Sequence, residues 1–199
     1  MALLVFFQVF VLAVAVPAVG QKADFLSIDC GLENSSGYQY NKIDYVSDGS
    51  YVDGGKSYSV ATGYDPPSST LRSFPSGERN CYTLPTAAGT KYLVRVVLFY
   101  GNYDGKNSSS MMLRFDLHLG VNRWTTVKNA DNEAYEAVFI AWASWAPVCL
   151  VKTGDATPFV NVVELRPLTD ALYPTVMANQ SMGRHRRRNM AASGIYRYI

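Results

Sequence analysis

Leu113-Arg-Phe-Asp-Leu-His-Leu119 sets an apolar residue at every second position, with Arg114, Asp116 and His118 between them. That period belongs to a β-strand with one face in a core and the other wet. Leu26, Ile28 and Cys30 alternate with Ser27 and Asp29 in the same way. Tyr92 to Tyr100 is apolar except for Arg95, which predicts a central strand covered on both faces. Shorter strands are predicted over 80–84, 124–127, 136–142 (ending at Trp142), 148–153 and 159–166. Turn dipeptides separate them, among them Asp48-Gly49, Ser76-Gly77, Asp104-Gly105 and Gly154-Asp155. No window outside the N-terminus keeps a period of 3.6 over three turns. Many short strands with Gly and Pro turns predict an all-β sandwich or jelly roll. Residues 31–79 carry less strand signal and are expected to form long loops.

Charged residues make up 17% of the 199-residue chain, while Tyr alone contributes 14. Low charge with many aromatics suits a β-rich extracellular protein. The net charge of +2 arises in the tail. Residues 184–199 hold five Arg and no acid, which leaves 13 basic against 16 acidic residues elsewhere, a net −3. The body therefore offers no basic face for nucleic acid. Arg184, His185, Arg186, Arg187 and Arg188 read as a solvated tail.

Residues 1–20 read as a secretory signal peptide. Leu3 to Val16 is broken only by Gln8, and Ala18-Val19-Gly20 supplies small residues for cleavage. Fourteen residues rise about 21 Å as a helix, short of the roughly 30 Å hydrocarbon core. The sequons at Asn34, Asn107 and Asn179 agree with that route. Three cysteines, Cys30, Cys81 and Cys149, leave one spare in an oxidising compartment. Cys81 and Cys149 both fall in predicted strands, so a cross-strand bridge between them is plausible, although spacing alone does not set connectivity.

Chemistry for catalysis is missing from the pattern. There is no Gly-x-Ser-x-Gly elbow, and His118 reads as a surface residue. Asp104, Asp116, Glu133 and Glu164 read as solvated or turn carboxylates rather than a glycosidase pair. Ser50-Tyr-Val-Asp-Gly-Gly-Lys-Ser57 mimics a phosphate loop but lacks the buried strand before it and the helix after it. No metal or cofactor is expected. Tyr100-Gly-Asn-Tyr-Asp-Gly105 stands apart, because it follows the most apolar strand and groups an aromatic, an amide and a carboxylate. Sugars offer apolar C–H faces to rings and hydroxyls to polar side chains, so Asn102, Tyr103 and Asp104 are the candidate ligand contacts. The competing reading is a turn whose polar groups bond its own backbone.

The chain resembles a known family at Phe25-Leu-Ser-Ile-Asp-Cys-Gly31, Arg79-Asn-Cys-Tyr-Thr-Leu84, Tyr100-Gly-Asn-Tyr-Asp-Gly105, Phe115-Asp-Leu-His-Leu-Gly120 and Cys149-Leu-Val-Lys-Thr-Gly154. These motifs, in this order, are similar to the malectin-like domain of plant leucine-rich-repeat receptor-like kinases, over roughly residues 24–173. The resemblance implies a galactose-binding-like jelly roll and a non-catalytic role in cell-surface sensing of an oligosaccharide or peptide, with a receptor ectodomain as possible partner. Tyr103 matches a sugar-contacting aromatic of malectin, whereas Asp104 stands where malectin has a second aromatic. The expected organisation is a signal peptide over 1–20, a lobe over 21–173, and a basic tail or the start of a second lobe over 174–199.

Overall fold

The computed structural model describes residues 25–33, 36–60, 65–106 and 113–184. The signal segment, the sequons at Asn34 and Asn107, and His185 through Arg188 lie outside the described residues.

Fourteen strands follow in chain order: β1 Leu26–Asp29, β2 Tyr38–Tyr40, β3 Ile43–Ser47, β4 Lys56–Ser59, β5 Thr70–Ser73, β6 Arg79–Pro85, β7 Lys91–Phe99, β8 Asp116–Leu119, β9 Asn122–Thr126, β10 Asp131–Ile140, β11 Trp145–Val151, β12 Phe159–Val160, β13 Val162–Pro167 and β14 Met182–Arg184. A seven-stranded sheet runs β14-β10-β7-β13-β1-β3-β2 and a four-stranded sheet runs β6-β11-β8-β9. A three-stranded sheet, β12-β5-β4, adjoins them. Among the described residues the strand pairings are antiparallel except β1 with β3. The fold is the all-β sandwich that the alternation predicts.

The core lies between the two larger sheets. Val94, Val96 and Leu98 of β7, with Val163 and Leu165 of β13, meet Leu117 of β8, Leu84 of β6 and Leu150 of β11. Leu113, Phe115, Leu117 and Leu119 are all buried, as their period requires. Each such side chain, fully buried, contributes on the order of 1.5–3 kcal/mol.

Several local expectations are corrected. Residues 31–79 contain β2, β3, β4 and β5 rather than long loops. These strands are three to five residues long and rich in Tyr and Ser, so they carry little apolar period. Ser27 and Asp29 are buried, not wet, because β1 lies inside the seven-stranded sheet between β13 and β3. The strand predicted over 159–166 is two strands. Asn161 interrupts it, accepting from the Phe99 N–H at 2.7 Å and donating to the Thr70 carbonyl at 2.9 Å. The chain changes sheets there. The strand predicted to Trp142 ends at Ile140. The phosphate-loop mimic, 50–57, runs from the last residue of a short 3₁₀ turn, Asp48–Ser50, through a bridge at Val52 into β4, so a strand and not a helix follows it.

Residues beyond 173 also fold onto the lobe. β14 pairs with β10, and Val176 packs on Leu93 and Val138. Lys91 Nζ donates to the carbonyls of Asp170, Leu172 and Tyr173 at 3.0, 2.8 and 3.2 Å. A buried ammonium is tolerated there because three acceptors replace its water.

Candidate functional site

The Tyr100–Gly105 segment leaves β7 as a tight turn. Gly101 and Asn102 both take positive φ, +51° and +53°. The Tyr103 ring turns inward against Tyr58, Tyr100 and Phe159, with centroids 5.0, 5.5 and 5.4 Å away. Its hydroxyl lies 2.9 Å from Ser73 Oγ. Burial, opposed by the Ser73 bond, pushes the phenol up to about 12. Asp104 accepts from the Tyr100 hydroxyl and from the Lys106 N–H, the latter at 3.2 Å. Burial alone would raise its carboxyl, but these two bonds and the Lys106 charge bring it below the ordinary value. The three predicted contact residues are thus adjacent, and the hydrogen bonds of Tyr103 and Asp104 close the turn. Asn102 is the exposed member.

The four-stranded sheet presents a different surface. Cys81 of β6 and Cys149 of β11 are directly opposed in the ladder and joined by a disulfide. Cys30 is a buried free thiol. Beside the disulfide, on the face away from the core, opens an apolar groove of about 400 Å³ lined by Arg79, Cys81, Val121, Trp142, Trp145 and Pro147. Trp142 lies in the β10–β11 connection and Trp145 opens β11, and each is 50% exposed. Val121, in the β8–β9 turn, is 87% exposed. Large apolar side chains left in water beside a concavity are the informative departure from ordinary burial.

The groove is held from beneath. Gly120 has φ +62°, as the first position of a two-residue hairpin can require, and a Cβ there would lie 3.0 Å from the Trp142 indole. The Trp142 ring leans on Phe139 with centroids 5.8 Å apart. Arg79 donates to the Gly120 carbonyl at 2.5 Å and lies 3.2 Å from His118 Nδ1. Burial and then the Arg79 charge lower the His118 pKa, with Asp116 pulling the other way. His118 therefore belongs to the scaffold at the groove's Arg79 end. Arg79 and Asn122 are the polar side chains at a rim otherwise apolar. That arrangement can bind a flat apolar face and orient it by few polar contacts.

Asp116, Glu164 and Glu133 do not converge on one site. Asp116 holds Arg123 at 2.9 Å and Thr126 at 2.6 Å, on the four-stranded sheet. Glu164 holds Arg95 at 3.0 Å and Arg166 at 2.5 Å, on the seven-stranded sheet. Glu133 is exposed on β10. Sequence does not reveal the tryptophan groove, because Trp142 falls in the strand predicted over 136–142 and Trp145 falls between predicted elements. The available signal is two tryptophans three residues apart in a short segment between two predicted strands.

A family profile described as Malectin-like domain matches residues 28–199. A probable LRR receptor-like serine/threonine-protein kinase of Arabidopsis thaliana is 39% identical over 175 residues, covering 84% of this chain and 20% of that protein. The chain spans about a fifth of the length of the curated relatives it matches. The solved structure of the plant receptor-like kinase FER superposes with a TM-score of 0.67 at 19% identity, over 80% of this chain and 47% of that one. A structure of the plant peptide RALF23 in complex with FER and LLG2 gives 0.57 at 20% identity, over 74% of this chain and 40% of that one. At these identities the structural likeness concerns the fold.

Proposed function

Because the chain belongs to the malectin-like domain family, we propose that it is a non-catalytic, extracellular binding lobe of the receptor-ectodomain type, and that its ligand is carbohydrate. The observation that supports this most is the groove between Trp142 and Trp145. Two half-exposed indoles offer the flat, polarizable faces on which the C–H side of a pyranose stacks, and Arg79 and Asn122 can meet its hydroxyls. Asn102, Tyr103 and Asp104 then serve chiefly to shape the turn after β7, with Asn102, whose Oδ1 lies 3.4 Å from the Tyr100 hydroxyl, at its exposed edge. Residues 1–20 act as the signal peptide. The lobe proposed for 21–173 continues, through Val176 and β14, to 184, and the remaining residues form a tail or lead into a second lobe.

Titration calorimetry of the secreted chain against cell-wall oligosaccharides and glucose disaccharides tests this reading. Saturable heat is expected, weakened about ten- to hundredfold by Trp145→Ala with the melting temperature unchanged. Heat lost through Tyr103→Ala but kept by Trp145→Ala would return the site to the β7 turn. A second reading, a peptide ligand, is favoured by the RALF23 peptide present in the related FER assembly. Folded protein that gives no heat with any sugar but binds a secreted peptide would establish it.

A further inference from the structure

Trp142 borders a second concavity. Sharing Leu119, Asn122 and Trp142 with the groove, a pocket of about 270 Å³ is lined also by Phe139, Met177 and Asn179, with Gln180 and Ser181 closing its rim. Asn179 and Ser181 are the first and third residues of the sequon Asn179-Gln180-Ser181, and both are exposed. The Gln180 N–H donates to the Met177 carbonyl at 3.0 Å, so Asn179 sits in a surface turn where a transferase can reach it. The acceptor amide of a glycosylation signal is thus itself part of the wall of a tryptophan-lined pocket.

We infer that Asn179 carries an N-linked glycan and that its first N-acetylglucosamine residue packs into this pocket against Trp142. The chemistry of the lining fits that occupant. The apolar C–H face and the acetyl methyl meet Trp142, Phe139 and Met177, while ring hydroxyls meet Gln180 and Ser181. The pocket is small and open, which makes it a weak site for a free ligand that must lose translational freedom on binding. A sugar joined to Asn179 has lost that freedom already and sees the pocket at high effective concentration. The glycan then takes one side of the Trp142 region and leaves the Trp145 groove open. The inference rests on the secretory route read from residues 1–20, and not on the ligand proposed for the groove. Calorimetry can fail while it stands, and the reverse.

The test uses the full chain expressed in a eukaryotic secretory host. Peptide mass spectrometry is expected to find Asn179 occupied. In the intact glycoprotein, nuclear Overhauser contacts are expected between the Trp142 ring protons and the acetyl methyl of the attached sugar. Asn179→Gln is expected to lower the melting temperature by about 2–4 °C in the parent and by nothing further in a Trp142→Ala background, since coupled partners are not additive. A bare Asn179 in the recovered chain overturns the inference. So does an occupied Asn179 with no Trp142 contacts, or an equal loss in both backgrounds. The Overhauser measurement needs no variant, so a misfolded Trp142→Ala leaves the outcome decided.

Discussion

At the scale of single residues, two buried aspartates organise the N-terminal half. Asp48 is fully buried and accepts from the Gly31 N–H and the Tyr82 hydroxyl, each at 3.0 Å, and from the Arg72 guanidinium at 2.5 and 2.6 Å. Four bonds to one carboxylate tie β5, β6 and the end of β1 together. Asp48→Ala removes all four bonds at once, leaving the Arg72 guanidinium without its counter-charge and the Gly31 amide without its acceptor, a loss of about 3–5 kcal/mol. Thermal unfolding should register it as a fall of roughly 10 °C or more. Asp29 differs, because burial, opposed by bonds from Thr70 and Tyr38 at 2.6 Å each and reinforced by nearby Asp48, raises its carboxyl to about 6. The folded chain therefore holds a proton that the unfolded chain releases near its ordinary carboxylate value. Its contribution to stability is full below that value and is lost as pH rises through about 6, by up to about 3 kcal/mol. Denaturant titrations between pH 4 and 7 should show this decline in the parent and a flatter profile in Asp29→Asn. Neither role was legible in sequence. Asp48-Gly49 reads as a surface turn, and Asp29 sits at the polar phase of an alternating strand. Only the neighbours that cover β1 and the 3₁₀ turn bury these carboxylates.

At the scale of elements, legibility followed strand length and local period. β7, β8 and the inward half of β10 announce themselves by alternation or by a long apolar run. β2 and β3 do not, since their Tyr, Gln and Ser side chains are polar at one end and pack only once paired with each other. The division of β12 from β13 depends on Asn161, whose amide replaces ladder bonds at the point where the chain changes sheets. Asn161→Leu keeps the volume near and strands those partners, so it should cost about 1–3 kcal/mol for each unpaired group, read in the midpoint of urea unfolding. The Cys81–Cys149 disulfide joins two adjacent strands across a separation of 68 residues. On chain-entropy grounds its loss in Cys81→Ala/Cys149→Ala should destabilise the chain by about 4 kcal/mol. A double variant that melts with the parent would show the bridge to be open in solution. Gly31 ends β1 at φ +80°, and a Cβ there would fall 2.2 Å from the Leu71 carbonyl oxygen. The turn at the end of β1 is therefore fixed by close backbone approach to β5 and has no room for alanine.

At the scale of the whole molecule, the sandwich divides its surfaces. The outer face of the seven-stranded sheet carries Arg95 between Glu136 and Glu164, with Arg166 beside them and the Phe25 ring 4.3 Å from the Arg166 guanidinium. That ionic patch is engaged with itself and is flanked by two small apolar clusters, one around Leu93, Val138 and Val176 and one around Ile43, Tyr45 and Val162. The outer face of the four-stranded sheet is apolar around its disulfide and ends in the tryptophan groove. A resemblance of motifs brought the family within reach of the sequence and drew attention to the turn after β7. Tyr103 and Asp104 are hydrogen-bonded there to Ser73, Tyr100 and the Lys106 N–H, whereas an exposed aromatic surface lies on the four-stranded sheet. Sequence could not place it, because exposure of Trp142 and Trp145 depends on where β10 stops and β11 begins.

The three tryptophans allow the central claim to be tested with one spectrum. Trp124 is half-buried against the core, whereas Trp142 and Trp145 line the groove. Nitrogen-15 spectra of the indole N–H groups, recorded as cell-wall oligosaccharide is added to the secreted chain, should show the Trp142 and Trp145 signals moving together and saturably while Trp124 stays in place. Folded protein in which no indole moves, or in which changes are confined to the backbone amides of 100–105, would contradict the assignment of the groove as the ligand surface.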